Sequence, residues 1–384
     1  MGVFISDKFW GSNMSLVSMG ANFLCHLVNI ILGHKYSTKP RILISLMSNI
    51  VLFAVSTVFT RIDTDPWQLE FYGLTLAFAL LFNINDSIFQ GVSRHNKGRH
   101  QFNRMYSGAY TSIMARFPPS FMGSMMQGQS FGGIMSSGLS VILLIVGGGD
   151  TVEVATWYFL FATVFLLGTL LIFITINRNS FYKLYLNKEK ETNVRVENDH
   201  SSFSHLVVVK DIWMLNVSIF LVYVVSLSVY PSLVRLVQPV GSSKTWQKYF
   251  IPVGVFFAYN FLDFVGRMMA VFIQWPRPTK IGSAICLATS LTRFALVPVL
   301  LLCNLSPDDR HVTPVLIRSD AVFLTVHVIV SLSNGYLTTI TMMNAPQMVE
   351  GDTNQSVVGS VMVFMLVCGL LAGSCVSYLW ILLL

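Results

Sequence analysis

The chain has 384 residues, 53% of them hydrophobic and only 11% charged, with a mean hydropathy of +0.63, whereas soluble domains carry about 25% charged residues. That composition excludes a soluble globular protein. The formal charge of +7 does not point to nucleic acid, because the basic residues lie in connections between apolar runs and no basic fold motif accompanies them.

Repeated stretches of about 20 apolar residues match the hydrocarbon thickness crossed as helix. Too few short alternating segments exist for a barrel. The expectation is an all-α, multi-pass membrane protein embedded in the lipid bilayer. In chain order the spans are 14–33, 42–60, 71–92, 118–146, 156–177, 212–233, 249–273, 281–304, 321–343 and 356–384. The connections 34–41, 93–117, 178–211 and 274–280 are basic, while 61–70, 147–155 and 306–315 are acidic or mixed, so the first set is assigned to the cytoplasmic side. Both termini then point outward. Residues 178–211 are polar, mixed in sign and poor in aromatics, as in a flexible linker. They divide the chain into an N-terminal bundle, 1–177, and a C-terminal bundle, 212–384, of five spans each.

Four charged side chains fall inside spans: Asp86, Asp263, Arg267 and Arg293. An isolated charge at a helix centre costs about 2.5–3.5 kcal/mol on insertion scales, so such residues face a polar interior and mark function. Asp263 and Arg267 are four apart, on one helix face, where they can pair and still bond a polar solute. In the third span Asn83, Asp86 or Ser87, and Gln90 recur at helical spacing and form a polar stripe. The Gln90 amide, with donors and an acceptor, suits the edge of a heterocyclic base. Arg293 either pairs with Asp86 across the two halves or holds neighbouring helices, and the structural role is preferred. His26 and His327, alone in apolar runs, read as satisfied core residues. All five cysteines lie in or at the ends of apolar runs and read as packing groups. Gly123, Gly128, Gly132, Gly133 and Gly138 in the fourth span allow close approach of a neighbouring helix.

The segment GSSKTWQKYFIPVGVFFAYNFLDFVGR at 241–267, with SLTRFALVPVLLLCN at 290–304, LSNGYLTTITMMNAP at 332–346, FQG at 89–91, MQGQSFGG at 126–133 and RNSFYKLYL at 178–186, resembles the equilibrative nucleoside transporter family. The resemblance runs from about residue 14 to the C-terminus in family order. It implies a major-facilitator-like carrier in which two bundles rock about a central site and pass purine and pyrimidine nucleosides, or nucleobases, down their gradients. Neither a cofactor nor an ion gradient is implied. By motif, Gln90 matches the family glutamine that recognises the nucleoside, and Asp263 and Arg267 match its substrate-facing carboxylate and arginine. Family members have eleven spans and a first helix bearing a Pro-Trp-Asn element; this chain starts at the second, so a truncated, non-transporting isoform is one alternative. Proton-coupled uptake through Asp86 is another. GGGD at 147–150 fits the short pattern of intramembrane aspartyl proteases, but it sits among loop glycines and Asp86 lacks the matching context, so no enzyme is expected. The plasma membrane is the expected location.

Overall fold

The computed structural model describes residues 7–32, 38–63, 65–90, 111, 114–115, 117–146, 151–176, 210–307, 310 and 314–384. Ten long helical segments occur among them: α1 (Asp7–Leu32), α2 (Thr38–Phe59), α3 (Gln68–Gln90), α4 (Pro119–Val146), α5 (Thr151–Ile176), α6 (Trp213–Val229), α7 (Lys244–Ile273), α8 (Lys280–Leu301), α9 (Asp320–Gln347) and α10 (Asp352–Leu383). Eight are long and apolar enough to cross a membrane; α1 and α3, the polar-faced pair, are not among them. The 178–211 linker, Asp150 and most of 92–116 lie outside the described residues, apart from the linker's last two positions.

Local chemistry explains where these helices begin, bend and stop. Pro119 occupies the first position of α4, where its missing N–H costs nothing. The Thr279 hydroxyl caps α8 by accepting from Gly282 N at 3.0 Å, satisfying one of the free N–H groups of a helix start. In α7 the turns over Phe250–Phe257 widen to π geometry, and they contain Pro252, which has no N–H to close an α-type bond. In α8 the turn Arg293–Ala295 tightens to a 3-10 helix, four residues ahead of Pro298, whose ring would clash with the Phe294 carbonyl in a regular helix. Helix α7 ends at Gln274, which adopts a left-handed conformation (φ 45°) and leads into Trp275-Pro276.

The packing turns the usual soluble arrangement around. Phe272 and Ile172 are 78% and 66% exposed, as side chains facing lipid should be, and none of the apolar window of α5 is buried. Serines, threonines, asparagines and charged groups lie inside instead, among them Ser218, Ser226, Asp263, Arg267, Arg293 and Asn334. Helices α1, α2 and α3 pack together, with α5 on α2 and α4 on α5; α6, α8, α9 and α10 pack together, with α7 on α9. Among the described residues the groups meet where α4 lies against α7 and α9 and where α1 lies against α10.

Candidate substrate site at the junction of helices 4, 7 and 9

The junction is built around Asp263 and Arg267 of α7, which are 5% and 6% exposed. Arg267 Nε donates to Asp263 Oδ2 at 2.9 Å. The carboxylate accepts two further bonds, from Ser130 Oγ of α4 to Oδ2 at 2.6 Å and from Asn334 Nδ2 of α9 to Oδ1 at 2.6 Å. The guanidinium also donates from Nη1 to the Met126 carbonyl of α4 at 2.9 Å. Three helices therefore meet on one ion pair, and the charges escape much of the cost of burial because each is hydrogen-bonded as well as paired.

Glycines allow the helices to come this close. A Cβ on Gly335 would lie 1.9 Å from the Asp263 carbonyl oxygen, and one on Gly266 would lie 2.2 Å from that of Leu332. The backbones of α7 and α9 thus cross in contact, and Asn334, beside Gly335, is delivered to the carboxylate. On α4, Cβ atoms at Gly123 and Gly133 would meet Val271 and Asn260 of α7 at 2.4 and 2.3 Å. Met126 and Ser130 lie between those two glycines on the same helical face, which carries them to Arg267 and Asp263.

A second tier supports the first. Asn334 Oδ1 accepts from Ser226 Oγ of α6 at 2.6 Å, and Ser226 Oγ accepts from Arg293 Nη2 at 2.9 Å. Arg293 also donates to the carbonyls of Val222 at 2.9 Å and Val330 at 3.1 Å. It is 3% exposed and binds α6 and α9 to α8.

The other sequence-derived residues are placed less centrally. Asn83 is half-buried and donates to the Ala79 carbonyl of its own helix at 2.7 Å. Asp86 is half-buried. Gln90 is the last residue of α3, and its side chain, like that of Ser87, lies outside the described residues. The buried asparagine of α3 is Asn85, off the stripe, which donates to Ser48 Oγ at 2.9 Å and Asn49 Oδ1 at 3.1 Å. His327 Nε2 lies 3.0 Å from the Val255 carbonyl and its ring stacks on Phe323, while its buried Nδ1 has no hydrogen-bond partner among the described residues. His26 is buried too, and its Nε2 has no hydrogen-bond partner among the described residues. Sequence reasoning expects Asp263 and Arg267 to face a watery path; in this arrangement they face Ser130, Met126 and Asn334. Ser130 and Asn334 were visible as letters in the motifs MQGQSFGG and LSNGY, but nothing in their spacing joined them to Asp263.

Comparison with known proteins identifies the family. A family model described as "Nucleoside transporter" matches residues 99–382, a stretch that contains α4, α7, α9 and both members of the ion pair. The chain belongs to the nucleoside transporter family. This transporter is similar to equilibrative nucleoside transporter 1 of Homo sapiens, with 26% identity over 96% of the chain and 81% of that protein. It is also similar to equilibrative nucleoside transporter 2 of Homo sapiens, with 25% identity over 97% and 86%. Equilibrative nucleoside transporter 3 of Rattus norvegicus matches at 25% identity over 96% and 77%. Membership makes the chain a multi-pass membrane transporter and not an enzyme, so the protease reading of GGGD is set aside.

Proposed function

We propose that this transporter moves nucleosides down their concentration gradient by alternating access, with the bundles 1–177 and 212–384 moving against each other about the linker 178–211. In this reading Gln90 bonds the base and Asp263 with Arg267 bonds the ribose, and no cofactor takes part. Nucleobases are a second cargo class, and the plasma-membrane bilayer is the site of action.

One observation carries the reading: the ion pair of α7 is completed by a hydroxyl and a carbonyl oxygen from α4. A ribose hydroxyl offers the same two functions, a proton for the carboxylate and a lone pair for the guanidinium. When α4 withdraws, cargo hydroxyls replace Ser130 and Met126 bond for bond. The loaded carrier then isomerises without leaving a buried charge unpaired, which would be costly in the membrane interior. A carrier that stabilises both end states in this way is driven only by the cargo gradient.

The test is saturable uptake of uridine and adenosine into proteoliposomes holding the full chain, with Gln90→Ala and Asp263→Asn variants of equal abundance. Uptake should equilibrate without concentrating cargo, be indifferent to a protonophore, and weaken in both variants. Unchanged saturation in the variants refutes the site assignment, and accumulation driven by a proton gradient refutes facilitated diffusion.

A further inference from the structure

Helix α7, which carries the ion pair, ends in a turn on the side assigned to the cytoplasm, and α9 holds that turn by its backbone. Tyr336 OH donates to the Trp275 carbonyl, and Asn344 Nδ2 donates to the Pro276 carbonyl at 2.8 Å. Thr279 N donates to the Arg277 carbonyl at 2.8 Å. A Cβ on Gly282 would lie 2.0 Å from that same oxygen, so the first turn of α8 closes tightly on it. Pro276 is buried, whereas Trp275, Arg277 and Lys280 are exposed. The main chain of the turn is fixed to the protein and its large side chains are left to the surroundings.

Those side chains fall into an apolar and a cationic set. Phe272 on the last turn of α7 and Ile281 on the first turn of α8 are 78% and 76% exposed, and Trp275 between them is 57% exposed. Arg277 and Lys280 make neither an ion pair nor a side-chain hydrogen bond with any described residue. The chain has no Asp or Glu between Asp263 and Asp308, so no carboxylate nearby in sequence offsets them. Other described residues on this side differ: the turn between α9 and α10 exposes Glu350, and ahead of α6 Lys210 stands next to Asp211. An indole settles at the boundary of hydrocarbon and headgroups, and long cationic side chains extend from there toward the headgroups. Apolar groups, indole and unbalanced positive charge thus follow the order of acyl chain, glycerol and anionic headgroup in a lipid.

We infer that the turn between α7 and α8 binds an anionic glycerophospholipid of the cytoplasmic leaflet, with Arg277 and Lys280 on its headgroup, Trp275 at the glycerol level and Phe272 and Ile281 along its acyl chains. The negative charge of that leaflet supplies what the two cations lack. A zwitterionic lipid offers the same phosphate but offsets it with its own ammonium group, so the net charge of the headgroup decides occupancy. The contact gives leaflet composition a hold on the end of the helix that bears Asp263 and Arg267. It rests on the orientation assigned from the basic connections and is independent of the cargo.

The experiment reads the fluorescence of Trp275 in phosphatidylcholine proteoliposomes of the full chain, isolated by subtracting Trp275→Phe, while dibrominated phosphatidylserine or dibrominated phosphatidylcholine is introduced as the quencher. Two cations near an anionic headgroup should let the serine lipid reach half-maximal quenching at a mole fraction about twenty-fold lower, and Arg277→Gln and Lys280→Gln should each remove about five-fold of that preference. Arg277→Lys and Lys280→Arg retain the charge and should retain the preference, which separates loss of charge from loss of fold. Equal quenching by the two lipids in the unaltered chain, a preference untouched in the double glutamine variant, or a preference lost in the charge-keeping swaps overturns the site. Inorganic phosphate, added against chloride at equal ionic strength, tests the soluble source of the same chemistry. The lipid preference should respond alike to both salts, and displacement by phosphate alone overturns the lipid site in favour of a free-anion one.

Discussion

Replacing Ser130 by alanine separates a group that exchanges with cargo from one that merely packs. The substitution deletes the 2.6 Å bond to Asp263 Oδ2 but leaves that oxygen bonded to Arg267 Nε at 2.9 Å and the other oxygen bonded to Asn334, so the carboxylate is not orphaned and the fold should survive. A hydrogen bond to a charged group contributes about 1.5–3 kcal/mol. If that bond belongs to the arrangement with α4 closed on α7, and a cargo hydroxyl replaces it in the loaded state, its removal destabilises only the competing state. Apparent affinity scales with the fraction of carrier that is competent to bind. Ser130→Ala should therefore bind nucleoside more tightly, with the half-saturation of uridine equilibrium exchange falling by up to about ten-fold, the lower end of the factor that the bond allows. The assay is exchange of labelled uridine across proteoliposomes equilibrated on both sides, scored per inserted protein. A rise in half-saturation at normal abundance would refute the exchange argument, because it would mean that Ser130 supports the loaded state as well.

Two other expectations follow from the packing. Gly335→Ala places a Cβ 1.9 Å from the Asp263 carbonyl oxygen, so overpacking of about 1–3 kcal/mol or more should lower thermal stability in detergent; Gly128→Ala, with nothing within 4 Å, should not. Asp320→Asn weakens the acceptor that holds Val240 N at 2.9 Å, Gly241 N at 3.1 Å and Trp246 Nε1 at 2.8 Å. Amide exchange over 240–246 should accelerate, and unchanged protection would count against Asp320 as the anchor of that loop.

Hydropathy made the helices legible, because a membrane demands about 20 apolar residues per crossing, and the observed segments coincide with the ten expected spans to within a few residues at most ends. The largest differences are at the starts of α1, α5 and α7, which begin at Asp7, Thr151 and Lys244. Polar and charged residues there are tolerated where a helix leaves the hydrocarbon. Asp263 and Arg267 were legible for the converse reason, since a charge in an apolar run is conspicuous. Their partners were not. The Met126 carbonyl has no letter of its own, and Ser130 and Asn334 reach the carboxylate only because Gly123, Gly133, Gly266 and Gly335 let three helices touch, which is a property of pairs of segments far apart in the chain. The 3-10 turn at Arg293 was readable in principle from Pro298.

Arg293 has a mechanical consequence in the proposed carrier. One guanidinium, fixed to α8, grips α6 through Val222 and Ser226 and α9 through Val330. Those three helices are riveted together and must tilt as a single plate. Shear then falls on the surfaces where α4 meets α7 and α9 and where α1 meets α10, the first of them bearing the ion pair.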